Sequence, residues 1–229
     1  VPTTLLTAIT AVRERLNETL PGFWTDTELT RWINEGVREV CRRTECLRSQ
    51  ETISAVAGQA TYALPADAIR VHRVEYTQTG AITRYPLDPV EVNAVDALGW
   101  SNTQTRGIPQ LFVTWGYPGA ADLNVFPKPA TGGSFLVWYY RLPAEVASDS
   151  DELDMPEGWQ DLVYDYCEYM ARMKDKDSQW QLAKQQFDDK LADFFALTRD
   201  MHDGPSRVAP YGQGNLWWQV LGTGPGGWW

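Results

Sequence analysis

The sequence predicts an α+β fold: a helical bundle of N- and C-terminal helices with an inserted antiparallel β-rich region and an extended C-terminal tail. Three observations predict it. Apolar residues recur at helical spacing near both ends of the chain. Between them, short alternating runs are separated by Gly- and Pro-rich turns. The strands also fall together between the helices rather than alternating with them, which argues against a doubly wound nucleotide-binding fold. The expected division is residues 1–48 for the first helices, 49–143 for the β-rich region, 144–199 for the last helices and 200–229 for the tail.

The first helix is marked by Leu5, Ile9, Val12 and Leu16, and "LPGFW" (Leu20–Trp24) breaks it. "TDTE" then has the form of a capping box, with Thr25 accepting the amide of Glu28 and Glu28 reaching back to Thr25. Behind it, Leu29, Trp32, Ile33, Gly36, Val37, Val40 and Cys41 lie on one face of a second helix. Arg31, Glu35, Arg38, Glu39, Arg42 and Arg43 fill the other. "QETISAVAGQATYALP" reads as a β-hairpin around Ala57-Gly58, and "AIRVHRVEYTQTGAITRYPL" as two strands turning near Thr79-Gly80. The parity of Ile69 and Val71 does not match that of Val74 and Tyr76, which predicts a bulge. Asp88–Trp100 reads as a short inserted helix and "SNTQTRG" as a loop. "PQLFVTWG", "ADLNVFP" and "GSFLVWYYRLP" give three more strands. "AEVASDSDELD" reads as an acidic linker. Trp159, Leu162, Val163, Tyr166, Cys167 and Met170 form the next helical stripe. Ser178 and Gln181 suggest a second, weaker capping box ahead of Trp180, Ala183, Phe187, Leu191, Phe194 and Phe195.

Composition narrows the function. The 229 residues carry a formal net charge of -10, and a field of that sign repels phosphate, so a surface that grips nucleic acid is not expected. Three cysteines, Cys41, Cys46 and Cys167, make no CxxC pair and read as free thiols in a reducing compartment. Cys41 and Cys46, five apart in one expected helix, should not share a face. No apolar run is long enough to span a membrane, and the N-terminus lacks a signal-peptide pattern.

The chain offers little chemistry. It has two histidines, His72 and His202, without Cys or carboxylates at ligand spacing, so no metal is expected. GxSxG, HExxH and Walker A patterns are missing, and "GTGPGG" (Gly222–Gly227) lacks the Lys and following helix of a phosphate loop. "SDSDELD" (Ser148–Asp154) lacks the turn glycine and terminal Glu of a calcium loop. Asp161, Asp165 and Glu168 read as the wet face of a helix. The arginines of the second helix alternate with glutamates at salt-bridge spacing. No catalytic, cofactor or metal residues are assigned. Aromatic residues are the excess: 11 Trp, a residue favoured at interface hot spots.

The order of these signals resembles that of the head-to-tail adaptor (neck) proteins of tailed bacteriophages. The carrying stretches are "FWTDTELTRWINEGVREVCRRT", "GQATYALPADAIRVHRVEY", "GIPQLFV" with "LNVFPKPATGGSFLVWYYRLP", and "LDMPEGWQDLVYDYCEYMA". The resemblance covers about residues 20–200. It implies a structural virion protein of the neck, assembled in the host cytoplasm, with no catalytic role and no cofactor. The partners implied are further copies of itself in a ring of normally twelve, the portal protein, and the tail or the next neck protein. DNA would pass through the channel without sequence-specific binding. The Trp-rich ending is outside that resemblance. The resemblance implies a C-terminal segment that reaches the portal, and together with the tail's apolar content it leads us to expect docking there by Leu216, Trp217, Trp218, Leu221, Trp228 and Trp229, with the Gly-Pro stretch between them as a hinge. The alternative from another class is a tail-side receptor- or glycan-binding module. It lacks support from a repeated all-β pattern.

Overall fold

The computed structural model describes residues 3–18, 22–91, 93 and 105–203. Four helices form the bundle. Helix α1 (Leu5–Arg15) starts at Thr4, whose hydroxyl accepts from the Thr7 amide at 3.3 Å, and it buries Leu5, Ala8, Ile9 and Val12. Helix α2 (Asp26–Thr44) begins with the expected capping box: Thr25 Oγ1 accepts the Glu28 amide and Glu28 Oε2 accepts the Thr25 amide, both at 3.3 Å. Acids in its first turn and Arg42 and Arg43 in its last suit the helix dipole. The whole predicted stripe from Leu29 to Cys41 is buried.

Helix α3 (Gln160–Lys174) and helix α4 (Trp180–Asp203) pack against α2 and each other, and α1 packs on α2 and α3. One core joins Leu5, Val12, Trp32, Ile33, Val163 and Cys167. A second joins Val40, Leu162, Phe187, Leu191 and Phe194, with Trp159 stacked on Phe194 at 4.3 Å. Each such side chain contributes about 1.5–3 kcal/mol on leaving water, which is why the 3.6-residue stripes decide the arrangement. Phe195 departs from its expected stripe and is 44% exposed. Ahead of α4 it is Asp177, accepting the Gln179 amide at 3.0 Å, that holds the turn.

The β-rich region has nine strands: β1 (Arg48–Ala55), β2 (Thr61–Ala63), β3 (Ala68–Gln78), β4 (Arg84–Pro89), β5 (Arg106–Gly107), β6 (Leu111–Tyr117), β7 (Ala120–Phe126), β8 (Lys128–Pro129) and β9 (Gly133–Arg141). Seven form a nearly closed barrel in the order β1-β9-β3-β4-β6-β7-β2, while β5 and β8 make a separate parallel pair. The expectation of an antiparallel sheet is corrected here. Strands β4 and β6 run parallel, Asp88 opposite Leu111 and Pro89 opposite Phe112.

The expected hairpin around Ala57-Gly58 is also corrected. The turn exists, with Gly58 at φ +81°, but its arms part: β1 pairs with β9 along its full length and β2 with β7. Tyr62 bridges the parting, its hydroxyl donating to the Gln59 carbonyl at 3.0 Å. The β3–β4 hairpin forms as expected, and the predicted bulge appears as register shifts at Ala68–Arg70 and Val71–Arg73. Arg106–Gly107, expected as loop, is strand β5. Of the short helix expected at Asp88–Trp100, Asp88 and Pro89 belong to β4, and most of the rest lies outside the described residues. The barrel interior centres on Phe135, with Tyr62 at 5.0 Å and Tyr76 at 5.3 Å between ring centres. Gly133, where β9 begins, allows the closest approach: a Cβ there would lie 2.2 Å from the Thr77 carbonyl oxygen.

Among the described residues, barrel and bundle meet at the strand ends, at Arg141–Asp154 and at the Arg70–Glu45 pair. Arg48 lies opposite Tyr140, and the Arg141 amide donates to the Leu47 carbonyl at 3.0 Å, so the region's two ends leave side by side. The acidic stretch that follows is more than a solvated linker. The Asp151 and Asp149 carbonyls accept the Leu5 and Leu6 amides at 2.8 and 3.1 Å, and the Leu153 amide donates to Thr3. These bonds satisfy first-turn amides of α1 that lack intrahelical partners. Val146, Leu153 and Met155 meanwhile enter the bundle core. Arg141 grips Asp154 with both Nη atoms, and Asp154 Oδ2 also accepts the Ala144 amide at 2.9 Å.

Candidate assembly surface

The six residues expected to dock, Leu216, Trp217, Trp218, Leu221, Trp228 and Trp229, lie outside the described residues. What the described residues present can be sorted by charge, thiol and aromatic groups. The arginines of α2 are held as the salt-bridge spacing predicts. Arg31 meets Glu35 at 3.7 Å, Arg42 and Arg43 both meet Glu39, Arg43 reaches Asp188 at 3.2 Å, and Arg38 pairs with Glu145. Such pairs anchor side chains rather than offer cations to a phosphate backbone.

The carboxylates of α3 correct one expectation. Asp165 is buried instead of wet, paired with Arg15 of α1 and with Lys190 of α4 at 2.5 Å, so it ties three helices. Asp161 shares Arg15, and Glu168 is spanned by Arg172. The three acids therefore do not converge on a cleft for acid–base work. Among the described residues no group of three or more His, Cys, Asp or Glu stands ready for a metal ion. Nor, among them, is any helix long and apolar enough to cross a membrane.

The cysteines give a second correction. Cys46 lies past the end of α2, where Glu45 adopts the left-handed conformation at φ +51° and turns the chain back. That brings the Cys46 and Cys41 sulfurs to 3.6 Å. The Cys41 thiol beside it pulls Cys46 down to about 7 against the effect of burial. Cys41 itself is pushed up by its contact with Cys46 and by burial, and burial, with the Glu35 charge, pushes up Cys167. Sequence spacing concealed this pair, because a left-handed non-glycine residue leaves no signal in composition.

Aromatic exposure is concentrated at a hairpin. Strands β6 and β7 continue past the barrel to the turn at Pro118–Gly119, and there Trp115 is 66% and Tyr117 71% exposed. The two alternate with Gly116, at φ +121°, whose added Cβ would lie 2.5 Å from the Ala120 carbonyl oxygen. A groove runs from this hairpin to Ile69 and Val71 on the bulged start of β3. Large rings exposed together on one hairpin are of the type that protein contact surfaces favour. The signal in the sequence is "TWGYPG", where the hydrophobic alternation of β6 runs on beyond the last buried position, Val113.

Comparison with known proteins follows this geometry. A family model described as SU10 adaptor protein matches residues 3–209. No curated protein matches the chain. Among solved structures, a chain from one described as the neck of an empty GTA particle computed with C6 symmetry is similar at 14% identity. That match covers 75% of this chain and 82% of the other, with a TM-score of 0.29.

Proposed function

The chain belongs to the SU10 adaptor protein family, a family of structural adaptors rather than enzymes, and we propose that it is the head-to-tail adaptor of a phage-like particle. In this reading twelve copies form a ring beneath the portal, extend the DNA channel and present the attachment surface for the tail or the next neck protein. The ring is assembled in the host cytoplasm and stays in the virion neck. The observation that carries the reading is the extent of the family match, which runs through bundle and barrel alike.

Two physical features support it. A cyclic ring needs two different adhesive faces on each subunit, and the exposed Trp115–Tyr117 hairpin supplies one kind of adhesive surface. An acidic chain also suits a DNA conduit, since a wall that repels phosphate does not retain the genome. Residues 200–229 act as the portal arm, with Leu216, Trp217, Trp218, Leu221, Trp228 and Trp229 as anchors. Burial of one such Trp contributes on the order of a few kcal/mol. Truncation after Gly214 tests the arm: portal binding should weaken while the fold is kept, and unchanged affinity for portal rings overturns it. Particle mass tests the ring. A closed species near twelve copies supports it, and a strict monomer in the presence of portal rings rejects it.

A further inference from the structure

The outer face of β1, β9 and β3 is an island of cations on an acidic chain. Arg48 stands opposite Tyr140, Arg70 opposite Tyr140 and Arg73 opposite Trp138. Their guanidinium carbons lie over the rings, Arg48 and Arg70 at 5.7 and 5.0 Å from Tyr140 and Arg73 at 5.5 Å from Trp138. A guanidinium resting on a ring is fixed in place while its N–H edge remains open to an anion. Arg70 is paired with Glu45 and Arg73 with Glu75, whereas Arg48 has no carboxylate partner among the described residues. Between these groups opens a cleft of about 390 Å³.

Glu75 forms part of the cleft wall, and its side chain is 8% exposed. One of its oxygens accepts from Arg73. The other, Oε2, has no hydrogen-bond partner, and Arg84 Nη1 stands 3.7 Å from it. The cleft therefore asks for an anion at Arg48. A DNA backbone offers phosphates, and the net charge of -10 repels so dense a polyanion at range. An acidic peptide segment offers carboxylates that a guanidinium edge can grip. The chain carries one such segment on rigid backbone: Asp149 and Glu152 are exposed, beside the bonds that fix Ser148–Asp154 to α1.

We propose that this cleft receives the Asp149–Glu152 edge of a neighbouring copy, and so forms one of the two subunit faces of the ring. The proposal rests on the ring reading above and adds the residues that make the contact. The test uses Arg48→Glu as one variant and Asp149→Lys/Glu152→Lys as another. These positions are exposed or outward-facing, and circular dichroism checks that the fold is kept. Native mass measurement should show each variant alone associating about tenfold or more weakly than the wild type, the size of one lost charge pair. An equimolar mixture of the two should assemble again, because an alternating ring restores opposite charges at every contact. Wild-type association by either variant alone, or failure of the mixture to recover, overturns the proposal while leaving the ring reading intact. A wild type that never forms rings, with or without portal, overturns both. Salt-sensitive retention of duplex DNA that Arg48→Glu abolishes, with ring mass unchanged, assigns the cleft to nucleic acid and overturns the proposal as well.

Discussion

Replacing Asp154 by Asn should loosen the joint between barrel and bundle by a calculable amount. Asp154 accepts both Nη atoms of Arg141, at the end of β9, and the Ala144 amide beyond it. The two side chains are 26% and 24% exposed, so solvent screens the pair only in part. Hydrogen bonds to charged groups contribute about 1.5–3 kcal/mol, and partial exposure places this pair near the lower end, at about 2 kcal/mol. For a chain of this size that corresponds to about 4–8 °C in melting temperature. The pH dependence gives an independent check. Arg141 holds the Asp154 carboxyl below the usual carboxylate range, against the opposing effect of desolvation. A lowered folded-state value means the stabilisation is complete above the ordinary aspartate range and is lost as pH falls through the folded value. Denaturant unfolding of the wild type and Asp154→Asn should therefore differ most near neutrality and converge at the acid end. A double-mutant cycle with Arg141→Met should return a coupling above about 0.5 kcal/mol, the limit of simple additivity. Smaller coupling, or a stability gap that stays constant down to the acid limit of folding, refutes the reasoning.

Two further outcomes follow from single positions. Gly133→Ala should cost about 1–3 kcal/mol or more, because the new Cβ meets the Thr77 carbonyl oxygen at 2.2 Å rather than a movable side chain. A melting temperature equal to wild type would show that β3 and β9 yield there. Alkylation followed by peptide mapping should find Cys46 modified first, with its rate rising through about pH 7, while Cys41 and Cys167 stay slow because their thiols are shifted upward. Modification of Cys46 only in strongly alkaline solution would remove the thiol pair as its cause.

The sequence made the helices legible and left the strand partners hidden, for a physical reason. The stripe from Leu29 to Cys41 and the Thr25–Glu28 box are local patterns, and local energetics suffice to realise them. The bulge in β3 was readable because parity breaks within a few residues, between Val71 and Val74. Pairing is a contest between distant segments. The turn at Gly58 has the residues of a hairpin, yet eight cross-strand positions against β9 outweigh a local pairing between β1 and the three-residue β2. Asp165 looked like a solvent-facing acid, since neither Arg15 nor Lys190 is near enough in sequence to suggest burial. The tail aromatics, outside the described residues, drew notice by composition alone. The cation island escaped notice because Arg48, Arg70 and Arg73 meet only when β9 lies between β1 and β3.

The pairing of Arg48 with Tyr140, and the bond from the Arg141 amide to Leu47, carries a consequence for how the chain finds its fold. The bundle must join α2 to α3 across the whole intervening barrel, and closing so long a flexible loop is entropically costly. Once β1 and β9 have paired, the ends of that loop are already neighbours, and the two helices are tethered as if by a short turn. The barrel then acts as the closure of the bundle, and the Asp149 and Asp151 carbonyls that pin α1 follow that closure along the chain. On this topology the bundle is closed through the β1–β9 seam.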